Sequence, residues 1–164
     1  MGSDLFELNA FSPSVRHMTL GLPQLITWAG TPRQVKKVIF SYNEEMGFSK
    51  EEIKEMTLHQ PTVLWQSKEN LVLQQFEILH NEAKIPHEIL ARFPTSLLTP
   101  WWVTKQRLLF LESLGRAQFD PNLPNYVSPE MLTDISGDEY GDVAFCNKVA
   151  KCSVELFEKF QKTL

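Results

Sequence analysis

Arg33, Lys36 and Lys37 crowd into five residues, and cations return at Lys68, at Arg92, at Lys105 with Arg107, and at Arg116. Cations presented at intervals from one face suit a polyanion, because each phosphate they neutralise releases condensed counterions. Taken singly, any of these is an ordinary solvated charge. Recurrence near the starts of successive helices sets the group apart as candidate phosphate contacts. Four tryptophans offer a second chemistry. Trp28 and Trp65 fit core packing better than base stacking, since each follows an apolar pair. Trp101 and Trp102 are adjacent, so both cannot face inward on a helix, and they are candidate partner contacts. No catalytic set emerges. His87-Glu88 lacks the second histidine of a zinc-protease motif, and Asp134–Glu139 lacks glycine at the sixth position of a calcium loop. No phosphate loop or nucleophile elbow is present, so neither enzyme activity, metal nor cofactor is expected.

The chain has 164 residues, 43% of them hydrophobic, which is enough for a continuous core and too apolar for disorder. Its net charge of −4 is uneven, with −2 over residues 1–84, +2 over 85–116 and −4 over 117–164. A nucleic-acid ligand therefore requires the cations to gather locally. No apolar run is long enough for a membrane span and no secretory leader opens the chain. Met1-Gly2-Ser3 reads as an added leader before a fragment of a longer precursor. On that reading, dimerisation through an end exposed near Phe6 and Leu8 would be a consequence of truncation. Cys146 and Cys152, if they share one helix, are too far apart to bridge, and a reducing compartment fits.

What positions the cations is a repeat. Met18-Thr19-Leu20-Gly21-Leu22-Pro23 returns as Met56-Thr57-Leu58-His59-Gln60-Pro61, and more weakly as Ile89-Leu90-Ala91-Arg92-Phe93-Pro94. Phe11, Phe48 and Ile85 start the units thirty-seven positions apart, and the third unit reaches its proline about three residues sooner, so its first helix should be a turn shorter. Each unit reads as helix, proline turn, longer helix. Ser12-Pro13, the capping box Ser49/Glu52, and Pro86 at a first helical position open the first helices. Thr31, Pro32 and Gln34 open the second helix of unit one, whose buried stripe is Val35, Val38, Ile39, Tyr42 and Met46 before Gly47. Ser67 caps the next, with Leu71, Val72, Phe76, Leu79 and Ala83 buried. Thr99-Pro100 opens the third, the most buried of all, and Gly115 closes it.

The predicted organisation is a leader and truncated repeat over 1–10, three repeats over 11–47, 48–84 and 85–116, and a non-repeat tail over 117–164. In the tail, turn-forming stretches at 120–125 and 136–141 flank a short apolar segment. A helix around 143–151 follows, then one opened by Ser153 with Leu156, Phe157, Phe160 and Leu164 on one side. Such a tail would cap an all-α stack.

Tetratricopeptide units lack the mid-unit proline and ankyrin units need Thr-Pro-Leu-His, so neither fits. Gly47-Phe48-Ser49, Met56-Thr57-Leu58 with Pro61, and Ile85–Pro94 together resemble the mTERF repeat of the mitochondrial transcription termination factor family. Leu114–Pro121, Pro124-Asn125-Tyr126 and Phe157–Leu164 resemble the C-terminal region of that family's third metazoan branch. The resemblance implies a left-handed superhelical solenoid with a basic concave groove for duplex nucleic acid, and a mitochondrial matrix location. It further implies association with promoter-region DNA, repression of mitochondrial transcription, and a role in ribosome assembly with ribosomal RNA as a second ligand. A different class of function suits Trp101, Trp102 and the acidic tail: a scaffold holding a ribosome-assembly or RNA-modifying factor.

Overall fold

The computed structural model describes residues 32–65 and 69–164, and every regular element among them is helical. The first helix of repeat one, Thr31, Ser67, Lys68 and Trp28 lie outside the described residues. Two compact units divide between Asn70 and Leu71.

In the first unit, α1 (Pro32–Phe40) opens on a proline, where the missing N–H has no intrahelical partner to lose. It runs into a π-helical turn, Ser41–Glu45. The chain then stops by a wide closure. The Met46 N–H donates to the Ser41 carbonyl at 3.0 Å and the Phe48 N–H to the Tyr42 carbonyl at 2.9 Å. Gly47 makes this reversal with φ of 82°, a left-handed geometry that glycine adopts without steric penalty. The predicted capping box opens α2 (Lys50–His59): Ser49 Oγ accepts from the Glu52 N–H at 3.1 Å, and Glu52 Oε1 accepts from the Ser49 N–H at 2.9 Å. Gln60 turns extended before Pro61, and a 3-10 turn, Pro61–Trp65, follows. Val35, Val38, Tyr42 and Met46 are buried with Phe48, Ile53, Met56, Val63 and Leu64. Ile39, expected in that stripe, is only half-buried and borders a surface groove. The Tyr42 hydroxyl donates to the Val63 carbonyl at 3.2 Å, and burial pushes its pKa upward.

The second unit repeats the same hydrogen bonds one period later. Its α3 (Glu69–Phe76) enters a π-helical turn, Glu77–Glu82. The Ala83 N–H donates to the Ile78 carbonyl at 2.9 Å and the Ile85 N–H to the Leu79 carbonyl at 3.0 Å. All four positions are thirty-seven beyond their counterparts in the first closure. Here Lys84, not glycine, holds the left-handed geometry, at φ of 61°. Val72, Phe76, Leu79 and Ala83 are buried, whereas Leu71 is exposed. That corrects the expected stripe: 72, 76, 79 and 83 share one helix face and Leu71 lies about 100° off it.

The first helix of the third repeat, α4 (His87–Arg92), has six residues against ten in α2, the predicted loss of about one turn. Pro86 occupies its N-cap with ψ of 157°, not the first helical position. After the 3-10 turn Pro94–Leu98 comes α5 (Trp101–Ser113), with Leu108, Phe110 and Leu111 buried. Its closure uses Gly115 at φ of 67°. The Gln75 amide, fully buried, donates to the Ser96 carbonyl at 2.8 Å and Thr104 Oγ1 at 2.7 Å, so a polar side chain joins α3, the proline turn and α5.

Beyond residue 116 the sequence did not resolve α6 (Pro129–Thr133), opened by Ser128. A short helix α7 (Asp142–Phe145) and a π-helical turn, Cys146–Ala150, supply the helix predicted over 143–151. Ser153 caps α8 (Val154–Gln161) by accepting from the Leu156 N–H at 3.3 Å. Phe157 and Phe160 lie with ring centres 4.9 and 5.2 Å from Phe110. Leu156 and Leu164, expected beside them, are exposed, because α8 ends before Leu164 and Leu156 sits one position off the Phe157/Phe160 face. The two cysteines do not share a helix. Lys151 turns left-handed at φ of 51°, and the Cys152 N–H reaches back to the Cys146 carbonyl at 3.0 Å. No helix among the described residues is long and apolar enough to cross a membrane.

Candidate nucleic-acid interface

Helical spacing brings the first cation cluster together. Arg33, Lys36 and Lys37 stand at i, i+3 and i+4 on α1 and therefore share a face. They line a surface groove of about 620 Å³ whose wall continues through Phe40 and Asn43 to Lys50, the first residue of α2. Glu44 and Glu45 reach the same groove and moderate its charge. Arg33 and Lys37 are exposed, and Phe40 is 58% exposed despite its ring. Cations at a helix N-terminus oppose the macrodipole by about 0.3–1 kcal/mol each. Through that term Arg33 and Lys36 count against α1 rather than for it.

Phe40, Asn43 and Lys50 escaped the sequence reading. Lys50 belongs to the first helix of the next repeat, and only the closure at Met46–Phe48 folds it back beside α1.

The remaining cations have other surroundings. Arg92, exposed at the end of α4, lines a separate groove of about 560 Å³ with Lys84, Glu88 and Asp120. It stands close enough to Tyr126 to draw that phenol's pKa down, against the larger upward effect of burial. Lys105 pairs with Glu82. The Arg116 guanidinium donates to the carbonyls of Ala150 and Lys151, where the last π-helical turn ends. Lys68 lies outside the described residues.

Arg107 is a correction. Expected to touch phosphate, it is fully buried. Its Nη1 donates to the Leu132 and Asp134 carbonyls at 2.9 and 2.7 Å, and its Nη2 to the Tyr140 carbonyl at 2.9 Å and Asp142 Oδ1 at 3.2 Å. The guanidinium also stacks over Phe145, 4.8 Å from the ring centre. Burial lowers its pKa and Asp142 opposes that shift. Its place on α5 explains the outcome: Thr104, Arg107, Leu108 and Leu111 follow i, i+3, i+4, i+7, the spacing of a buried face. Arg107 thus ties the loop after α6 and the start of α7 to α5. On the opposite count, Trp102 is 49% exposed and Trp101 half-buried, their rings edge to face at 6.0 Å.

Comparison with known proteins places this geometry in a lineage. Residues 7–101 match the family model described as mTERF. The chain is 44% identical over 91 residues to the protein named "Transcription termination factor 3, mitochondrial" of Rattus norvegicus, covering 56% of this chain and 21% of that protein. It is 32% identical over 141 residues to the protein of the same name from Drosophila melanogaster, covering 86% of this chain and 38% of that protein. The latter similarity is too long to fit within the repeats alone and takes in part of the tail. This chain spans between about a fifth and two fifths of the length of these relatives. The repeated closures, the proline turns and a family match over more than half of the sequence lead to one assignment: the chain belongs to the mTERF family.

Proposed function

We propose that this chain is part of a nucleic-acid-associated regulator, a repressor, of mitochondrial DNA transcription, acting in the matrix and binding duplex nucleic acid without catalysing a reaction. The observation that carries the reading is the single groove lined by Arg33, Lys36, Lys37 and Lys50 on a protein of net charge −4. Such a cluster is a local exception to the overall charge, and backbone phosphates are its complement. Contacts of this kind position a duplex and carry little base readout. The names of the relatives support the transcriptional and mitochondrial parts of the proposal.

Fluorescence anisotropy of a labelled duplex across a salt series tests it. Each phosphate contact contributes about 0.9 to the slope of log K against log salt, so Arg33→Gln with Lys37→Gln should flatten that slope by about 2. Both side chains are exposed, so circular dichroism should be unchanged. Binding that is absent, or whose slope ignores the double substitution, removes the groove from the proposal.

Exposed Trp102 favours a second reading, a scaffold for a ribosome-assembly or RNA-modifying protein. Under that reading Trp102→Ala abolishes association with a purified partner while leaving the duplex salt slope intact.

A further inference from the structure

Six positions apart on a continuous helix, two side chains point away from one another and are separated along the axis. Cys146 and Cys152 escape that geometry because the helix stops at Ala150 and Lys151 takes left-handed angles, φ and ψ both 51°. The chain doubles back, and the Cys152 N–H closes on the Cys146 carbonyl at 3.0 Å. That backbone bond brings the two residues together at the end of the turn, and Cys152 is among the groups that raise the Cys146 thiol pKa. Both are free, with Cys146 buried and Cys152 partly accessible. An intramolecular disulfide thus requires only rotation of two side chains whose backbones already meet.

The geometry points to a reversible dithiol–disulfide site at Cys146 and Cys152, oxidised by a low-molecular-weight disulfide of the glutathione type. Accessibility sets the order of events. The Cys152 thiolate attacks one sulfur of glutathione disulfide, expelling a glutathione thiolate and leaving a mixed disulfide on Cys152. Cys146 passes its proton to the expelled thiolate, and its sulfur attacks the Cys152 sulfur, releasing the second glutathione. The second glutathione leaves as a thiolate and takes up the proton that Cys152 lost, so the protein gives up two protons and two electrons and one glutathione disulfide becomes two glutathione thiols. Burial, the first cause of the raised Cys146 thiol pKa of about 12, disfavours its thiolate and makes it the slower, resolving partner.

The location gives the bond a mechanical consequence. Arg116 is anchored on the Ala150 and Lys151 carbonyls inside the loop that the disulfide would close. Directly after it, Ser153 starts α8, which packs Phe157 between Phe110 and Phe145. Oxidation would therefore fasten the entry to α8 at the turn where Lys151 takes the chain out of helical geometry.

The test uses the whole chain in glutathione redox buffers, quenched with acid and alkylated, followed by intact mass and peptide mapping. Trypsin cuts after Lys148 and Lys151, between the cysteines, so the oxidised protein must yield two peptides held together only by the disulfide. The expected result is simultaneous loss of both thiols in a monomer, reversed by dithiothreitol. Cys146→Ala should instead accumulate glutathione on Cys152, and Cys152→Ala should stay unmodified. Wild-type protein that stops at the mixed disulfide, keeps both thiols, or oxidises only between chains would overturn the proposal, whatever the variants do.

Discussion

Replacing Arg107 by alanine separates two opposed roles for one cation. The guanidinium is fully buried, serves three carbonyls and one carboxylate, and lies over Phe145. Deleting it strands those acceptors and leaves Asp142 without its cation. Removing one partner from a buried pair costs about 3–5 kcal/mol, and a domain of this size has a total stability of about 5–15 kcal/mol. Arg107→Ala should therefore shift urea unfolding, followed by far-ultraviolet circular dichroism, by a large fraction of the whole transition. Arg107→Lys keeps charge but not the planar fork, and with three donors it should recover less than half of the loss. Arg107→Met fills the volume yet satisfies no carbonyl, so it should resemble alanine more than lysine. A phosphate-contacting Arg107 predicts the reverse pattern. If Arg107→Ala leaves unfolding within about 0.5 kcal/mol of wild type while lowering duplex affinity and salt slope, the structural role assigned to it is wrong.

Other perturbations follow from single geometries. Ser49→Ala removes the Oγ that accepts from the Glu52 N–H, leaves the backbone N–H of residue 49 on Glu52, and should cost about 1 kcal/mol in chemical denaturation. Lys84→Gly removes the side-chain penalty of a left-handed residue and should stabilise by about 0.5–1 kcal/mol, whereas Lys84→Val at the same site should destabilise. Raised pH should weaken the fold. The Cys146 thiol is pushed by burial from 9.0 to about 12, so between those values the unfolded chain has released a proton that the folded chain retains. That contribution is intact below pH 9 and disappears as pH climbs toward 12. Cys146→Ala should flatten this part of a stability–pH curve measured under reducing conditions, leaving the alkaline loss from buried Tyr42, whose pKa burial also raises.

The repeat was legible because its signals are local. Ser49 and Glu52 need only each other, and Val35, Val38, Tyr42 and Met46 need only helical phase. The first cation cluster was legible for the same reason, being written within two turns of α1. Lys50 was not, because its approach to α1 depends on how the chain reverses at Gly47. Arg107 was misread on residue type: arginine is usually solvated, and that prior outweighed a spacing that placed it with Thr104, Leu108 and Leu111 on the buried face. Lys84 was invisible as a turn residue, since glycine marks the matching position in the first repeat and nothing in a lysine announces left-handed backbone. The meeting of Cys146 with Cys152 was missed likewise, because a second non-glycine residue, Lys151, makes the turn that unites them.

The unequal lengths of α2 and α4 carry a lesson for editing this protein. Both helices begin in the same frame and both end at a proline turn, yet one is four residues shorter. Four residues rotate a helix by about 400°, little more than a full revolution, so the turn that follows leaves in nearly the same direction. One or two residues would swing it by about 100° or 200° and aim the next element elsewhere. Insertions and deletions in these first helices should be tolerated in steps of three or four and rejected in between, so that the thread of the helix acts as a ratchet on how the repeat can grow or shrink.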